Sequence, residues 1–276
     1  MARISRGGNN ESASVYSQII ERIFFERYSP GMESVEFSRD DLLSTAQELG
    51  VSPPKNLGDV VYSFKYRNLL PASIVQTAPE QKEWVLRTCG QGRYAFQLSA
   101  ISWIIPRQHL RKIKIPDATP KIVRMYSFDD EQSLLARIRY NRLIDVFTGI
   151  TCYSLQNHLR TTVEGIGQIE TDEIYVGVDK RGAHYVFPVQ AKGGTDMMSV
   201  VQIEQDFAMC QERFPELICI PIGAQFMSED EIAMFAFTQS DDGEVTIWDE
   251  RHYILTPENI EQEELDSYKN MPLNTI

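Results

Sequence analysis

The chain has 276 residues, of which 42% are hydrophobic and 24% charged, enough apolar material for the cores of two modest domains. It contains no run of about 18 apolar residues, and its N-terminus lacks the apolar run of a signal peptide, so neither a membrane span nor secretion is expected. The four cysteines are far apart and form no C-x-x-C pair, which argues against a disulfide scaffold or a zinc finger and predicts reduced thiols in a cytoplasmic protein.

The net charge of −12 is unevenly distributed along the chain. Residues 1–150 hold 20 Lys and Arg against 16 Asp and Glu, a net charge of +4, whereas residues 151–276 hold 7 against 23, a net charge of −16. Within the first half, residues 51–124 hold 12 basic and 4 acidic side chains, a net charge of +8. Such asymmetry is typical of a basic contact surface joined to an acidic body, with evenly solvated faces as the alternative. The total charge therefore does not exclude a nucleic-acid partner.

The first part of the chain predicts a small helical domain with a hairpin. Residues 1–13 are polar and are expected to be a disordered tail. Apolar residues at helical spacing then predict three helices, the third at residues 56–68. Two short strands, 83–88 and 93–98, follow on either side of a glycine-rich turn. This is the element order of a winged helix-turn-helix, which we assign to residues 14–105.

In a winged helix-turn-helix the third helix enters the major groove and the hairpin touches the DNA backbone. We therefore expect the basic residues of these two elements to lie nearest to DNA: Lys65, Arg67, Arg87 and Arg93. A domain that contacts only proteins is the alternative, and the local charge of +8 favours DNA. The next segment, 106–128, is predicted to be a basic linker that lies along DNA, with Lys112 and Lys114 among its cations.

Residues 129–276 are predicted to form a second domain that mixes helices and strands. The expected elements are helices at 130–147 and 151–164, strands at 173–178 and 184–192, a helix at 200–214, a strand at 217–223, a hairpin within 231–255 and an acidic surface helix at 258–270.

The two strands at 173–178 and 184–192 bring three polar residues together. Asp172 opens the first strand, and Gln190 and Lys192 end the second on one face. Metal-assisted phosphodiester hydrolysis needs such a set, because Mg²⁺ binds oxygen donors and an ammonium group balances charge on the phosphate. A lysine that ends an apolar strand is costly unless it is paired, which favours a functional site.

Several alternatives to this site are open on the residues alone. Glu170 or Glu173 would replace Asp172 if the strand began one residue away. Asp172 could instead be an ordinary strand-start residue, with the lysine solvated at its strand end. His158 and His184 have no partner at metal-ligand spacing, so we interpret them as structural.

Asp172, an apolar hairpin and a strand that ends in Gln190-Ala191-Lys192 resemble the PD-(D/E)xK nuclease superfamily. The pattern is most similar to the branch in which glutamine replaces the second acidic residue, typified by Mrr-like restriction endonucleases. That branch also joins an N-terminal winged helix to a C-terminal nuclease domain. The resemblance implies an α/β (α+β) protein whose restriction-endonuclease-like core is a mixed sheet flanked by helices.

The resemblance also implies a role for each residue. Asp172 would be the metal-binding aspartate, Gln190 the variable second metal-binding position and Lys192 the catalytic lysine. Glu164 would be an additional acidic metal ligand, and Gln202 a polar residue near the site. A neutral amide binds Mg²⁺ more weakly than a carboxylate, so a second metal would depend on Glu164 or on the Ala191 carbonyl.

The implied function is a Mg²⁺-dependent endonuclease that hydrolyses double-stranded DNA, comparable to a type II restriction enzyme and acting in restriction or defence. A homodimer is expected, because one site cuts one strand. Two rivals are a catalytically silent DNA-binding regulator that keeps a nuclease-like core, and a repair nuclease that acts on branched or damaged DNA.

Overall fold

The computed structural model describes residues 10–53, 55–128, 130–257 and 259–271. The chain mixes helices and strands, and it divides into two compact units. The first comprises residues 1–102 with 164–167, and the second comprises 103–163 with 168–276. Within the described ranges, no helix is long and apolar enough to cross a membrane.

The first unit consists of helices and a small antiparallel sheet. Its elements in chain order are α1 (Asn10–Arg27), β1 (Ser34–Ser38), α2 (Arg39–Glu48), α3 (Gly58–Tyr66), α4 (Ala72–Val75), β2 (Glu83–Thr88) and β3 (Arg93–Ser99). The strands lie in the order β1-β3-β2. The three expected helices and the hairpin are present in the predicted order, whereas β1 and α4 were not expected.

Apolar side chains at helical spacing explain the core of the first unit. Ile20, Ile23 and Phe24 of α1 are fully buried, and the Phe24 ring packs edge-on against Trp84 and Phe96 of the hairpin. This packing seats α1 on the sheet. The expected disordered tail differs in part, because residues 10–13 belong to α1 and residues 1–9 lie outside the described residues.

A mixed sheet forms the body of the second unit. The elements after the first hairpin are β4 (Trp103–Ile104), β5 (Lys112–Pro116), α5 (Lys121–Tyr126), α6 (Glu131–Tyr140), α7 (Leu143–Thr148), β6 (Thr151–Val163), β7 (Gly167–Val178), β8 (His184–Lys192), β9 (Met198–Ser199), α8 (Val200–Arg213), β10 (Ile218–Cys219), β11 (Ile222–Phe226), β12 (Glu231–Gln239), β13 (Val245–Thr256) and α9 (Gln262–Lys269). The strand order is β5-β13-β12-β11-β8-β7-β6, and β10 also pairs with β8.

Strand β8 lies inside this sheet, with β7 antiparallel on one side and β11 parallel on the other. Phe187, Val189 and Ala191 belong to an apolar cluster that also contains the buried side chains of α6 and α7. Gln190 lies between two of them in sequence, and it contacts α8 instead. The alternation of β8 therefore places α6 and α7 on one face of the sheet and α8 on the other.

Two predicted elements are wrong. Residues 151–164 do not form a helix, because Thr151–Val163 is strand β6 at one edge of the sheet. The predicted linker at 106–128 contains β5, which pairs in parallel with β13 and so belongs to the sheet. The expected helix at 130–147 is interrupted at Arg142, whose φ of 49° is left-handed, so α6 ends and α7 begins there.

Candidate active site

Asp172 lies at the end of the ladder that joins β7 and β8. The register of the two strands runs from Val178 opposite His184 to Glu173 opposite Val189. One residue further along β7, Asp172 uses its side chain instead, and its Oδ2 accepts a hydrogen bond from the Ala191 backbone N–H at 2.8 Å. The carboxylate is therefore fixed at the end of β8, next to the residue before Lys192.

Burial raises the pKa of Asp172 above its ordinary value of 3.8, against the Ala191 hydrogen bond and the nearby charge of Lys192, which lower it. A carboxylate in this position has lost much of its hydration, and it gains by meeting a cation. This electrostatic setting suits a metal ligand better than an ordinary strand-start residue.

Lys192 is paired with a carboxylate from the first turn of α6. Its Nζ lies 3.0 Å from Glu131 Oε1, and the two side chains are 12% and 38% exposed. Asp130 caps the helix by accepting a hydrogen bond from the Ser133 N–H at 2.8 Å. A Cβ on Gly193 would lie 3.1 Å from the Asp130 carbonyl carbon, so the glycine lets the helix start approach the strand end.

Gln190 is buried in a network of hydrogen bonds beneath the site, and it is 1% exposed. Its Nε2 donates to Asp206 Oδ2 at 3.0 Å and to the Glu170 carbonyl at 3.2 Å. Its Oε1 accepts from Gln202 Nε2 at 3.0 Å. Gln202, which was expected near the site, therefore contacts Gln190.

Asp206 is a member of this network that the sequence reasoning missed. It is fully buried on α8, where it accepts a hydrogen bond from Thr171 Oγ1 at 2.6 Å. The signal was present in the sequence, because Asp206 stands three residues from Ile203 and from Met209 on the apolar stripe of α8. An acidic residue at such a position is rarely buried without a specific role.

Burial raises the pKa of Asp206 from 3.8 to about 7. Since the folded value is the higher one, folding favours the protonated carboxyl; this contribution is full below about pH 4 and is lost as the pH rises through about 7. We expect the free energy of unfolding to fall between about pH 5 and 7, and Asp206→Asn to flatten that fall. Urea unfolding followed by circular dichroism at several pH values measures both slopes, and equal slopes in the two proteins would contradict the assignment.

Of the three neighbouring acidic residues, Asp172 is the one whose carboxylate contacts the end of β8. The exposed Glu170 lies 3.3 Å from His158 and 3.2 Å from Arg160. Glu173 is fully buried, where it pairs with Arg139 at 3.0 Å and accepts from Ser154. Both alternatives to Asp172 are thus engaged elsewhere.

Glu164 is not at the end of a helix, because it is exposed in the turn that joins β6 and β7. Because residues Thr151–Val163 form a strand, Glu164 follows the end of β6 and is not the last residue of a helix. Glu131, which the sequence reasoning did not select, is the acidic side chain that contacts Lys192. No local pattern indicated it, since the contact joins residues far apart in sequence.

The residues expected to bind DNA differ in their accessibility. Lys65 is 6% exposed and donates to Thr88 Oγ1 at 2.8 Å, so α3 directs it toward the hairpin. Lys112 and Lys114 lie on β5 in ion pairs with Glu231 at 2.7 Å and Glu264 at 3.0 Å. These pairs neutralise much of their charge. The remaining three have partly or fully exposed side chains: Arg67, Arg87 and Arg93.

The donor set at the strand ends fits a hard divalent cation. Asp172 and Glu131 are two carboxylates near Lys192: Glu131 contacts its Nζ, and the charges of Lys192 and Glu131 both affect the pKa of Asp172. In the described part of the chain, no group of three or more His, Cys, Asp or Glu side chains is arranged to hold a metal ion. Mg²⁺ does not need such a cage, because it commonly uses one or two carboxylates together with water and substrate phosphate.

No family model, curated protein or solved structure matches the chain.

Proposed function

We propose that this protein is a Mg²⁺-dependent DNA endonuclease of the PD-(D/E)xK type, with its active site at the middle of β7 and the end of β8. The observation that carries the proposal is the grouping of Asp172, Lys192 and Glu131. Asp172 is hydrogen-bonded to the residue before Lys192, and Lys192 lies 3.0 Å from Glu131. A desolvated carboxylate, a paired ammonium group and a second carboxylate in one half-buried site suit hydrolysis of a phosphodiester.

The chain's own residues have distinct tasks in this mechanism. Asp172 and Glu131 would hold the cation, which when bound acts as a Lewis acid on a phosphate oxygen. Lys192 would orient the attacking water and balance the negative charge that develops on the phosphate. Its ion pair with Glu131 keeps the ammonium group directed into the site in the absence of substrate. Gly193 supports this geometry because, without a Cβ, it lets the start of α6 lie close to the end of β8.

The first unit supports DNA as the substrate. Its helices and hairpin follow the order that a winged helix requires. The exposed Arg67 directly follows α3, and the exposed Arg93 begins β3 of the hairpin. The part of the +8 segment that lies in this unit, residues 51–102, holds 6 basic and 3 acidic side chains, a net charge of +3 within an acidic protein. We propose that this unit binds double-stranded DNA, that the protein acts as a homodimer to cut both strands, and that its role is restriction or defence.

The test is a cleavage assay with the full chain on supercoiled plasmid, on methylated and unmethylated genomic DNA and on a forked oligonucleotide. We expect nicked and linear products with Mg²⁺ and none with excess EDTA, because the site requires the cation. Cleavage confined to the forked substrate would instead favour a repair nuclease. Binding without cleavage of any substrate would contradict the proposal and favour a silent regulator.

A further inference from the structure

Both ends of the Gln190 amide are committed to partners of fixed polarity. On one side, Ser199 N–H donates to Gln202 Oε1 at 3.4 Å in the capping box that begins α8. That bond turns Gln202 Nε2 toward Gln190, where it donates to Oε1 at 3.0 Å. On the other side, Gln190 Nε2 lies within 3.2 Å of both Asp206 oxygens.

The direction of these hydrogen bonds cannot be reversed. An amide side chain can turn over and exchange its donor for its acceptor when its partners allow both. The Glu170 carbonyl on the Asp206 side can only accept, and it lies 3.2 Å from Gln190 Nε2, so the NH₂ is required here whether or not Asp206 is protonated. Thr171 Oγ1 donates to the Asp206 carboxyl at 2.6 Å. Gln190 therefore must present its NH₂ to Asp206 and its carbonyl oxygen to Gln202.

We propose that Asp206 and Gln202 lock Gln190 as a buried positioning residue, and that the cation is held by Asp172 and Glu131 without Gln190. The second part rests on the proposed nuclease function. The lock matters to the site because Gln190 is followed by Ala191, whose N–H holds Asp172, and by Lys192. Fixing the Gln190 side chain to α8 fixes the position of these two residues at the end of β8.

The competing view is that Gln190 is a metal ligand, as the family resemblance implies. The two views differ in what a carboxylate at position 190 would do. A ligand would bind Mg²⁺ more tightly as Glu, since affinity rises with the number of charged ligands. If Gln190 is instead a locked amide, Glu at this position puts a second carboxylate within 3.2 Å of buried Asp206, where two like charges repel.

The test is a double-mutant cycle at these two positions. Gln190→Glu is expected to lower the Tm of the second unit by about 5–10 °C, because it buries an unpaired charge. Adding Asp206→Asn supplies the missing NH₂, so the double variant should recover at least about half of that loss. Recovery stays incomplete because the Glu170 carbonyl still lacks its donor. Glu212→Gln is the matched control, because it removes one exposed carboxylate from the same helix. Added to Gln190→Glu, it should restore none of the lost Tm.

The cation is tested on the same proteins by titrating Mg²⁺ and following the rise in Tm. The double variant should reach half of its Tm rise within about two-fold of the wild-type Mg²⁺ concentration, and Asp172→Asn should show no rise. Failure of Asp206→Asn to rescue Gln190→Glu overturns the lock. A Mg²⁺ requirement about ten-fold lower in the double variant shows that residue 190 is a ligand. If the wild type binds no Mg²⁺ and cuts no DNA, the nuclease proposal and the cation assignment fail. The Tm values of the double-mutant cycle still test whether Asp206 and Gln202 hold Gln190 in place.

Discussion

Lys192→Met is expected to lower the rate of Mg²⁺-dependent DNA cleavage by at least about 10³-fold, because it removes the ammonium group that balances charge on the phosphate. Folding should change little. Methionine retains the length of the aliphatic stem, and Glu131, which is 38% exposed, can be hydrated when it loses its partner. The measurements are single-turnover cleavage with saturating enzyme and Tm in the absence of metal.

Lys180→Met is the matched control, because it removes an exposed lysine from the turn between β7 and β8. It should cleave within about two-fold of the wild type, as surface substitutions away from special features usually have small effects. Lys192→Arg should recover little activity, since a planar guanidinium is not interchangeable with a compact ammonium at a site of fixed geometry. Cleavage by Lys192→Met at the wild-type rate would remove this lysine from the mechanism.

Asp172→Asn is expected to abolish cleavage to below about 10⁻³ of the wild-type rate while leaving the fold as stable as before or more so. The amide oxygen can still accept from the Ala191 N–H, so the hydrogen bond at the strand end is kept. Burial raises the pKa of Asp172, which means that its charge costs stability as the pH rises through the folded value. Removing that charge should therefore not destabilise the metal-free protein at neutral pH.

Mg²⁺ should raise the Tm of the wild type and leave that of Asp172→Asn unchanged, since a ligand stabilises only the protein that binds it. Asp241→Asn, in the exposed turn between β12 and β13, is the matched control and should behave like the wild type. A large loss of stability in metal-free Asp172→Asn would indicate that the carboxylate is structural. Retained Mg²⁺ binding would move the metal site elsewhere.

The strands that carry the site were predictable because their signals are local. Residues 184–192 alternate between two buried faces and follow a turn that Gly182 closes with a φ of 82°. The predicted second strand matches β8 at both ends, and the first matches the latter half of β7. The alternation and the hairpin register therefore placed Asp172 close to the end of β8, although β7 begins at Gly167 and Asp172 lies in its middle rather than at its start.

Strand β6 shows why local pattern failed elsewhere. As the edge strand, it leaves the six side chains from Tyr153 to His158 exposed, so its burial does not alternate. Apolar residues three or four apart then predict a helix, although β-branched Thr161, Thr162 and Val163 favour a strand. Tertiary pairing decides the conformation here, and the error carried Glu164 into the predicted site.

The contacts of Glu131 and Asp206 required information that no short window contains, although the apolar stripe of α8 indicated that Asp206 is buried. Glu131 meets Lys192 only because α6 begins beside the end of β8, across a close approach at Gly193. Asp206 meets Gln190 only because α8 packs on the opposite face of the same strand. Both contacts depend on the complete sheet, whereas the hairpin depends on adjacent residues.

The parallel pairing of β5 with β13 has a consequence for synthesis of the chain. Lys112 pairs with His252, so nearly the whole second unit lies between the two strands in sequence. On the ribosome, the segment Lys112–Pro116 therefore emerges long before its partner exists, and such non-local pairing is slow to form. Its two lysines and its proline are features that discourage strand-to-strand association. They would keep the nascent strand apart from other chains until β13 is made and closes the sheet.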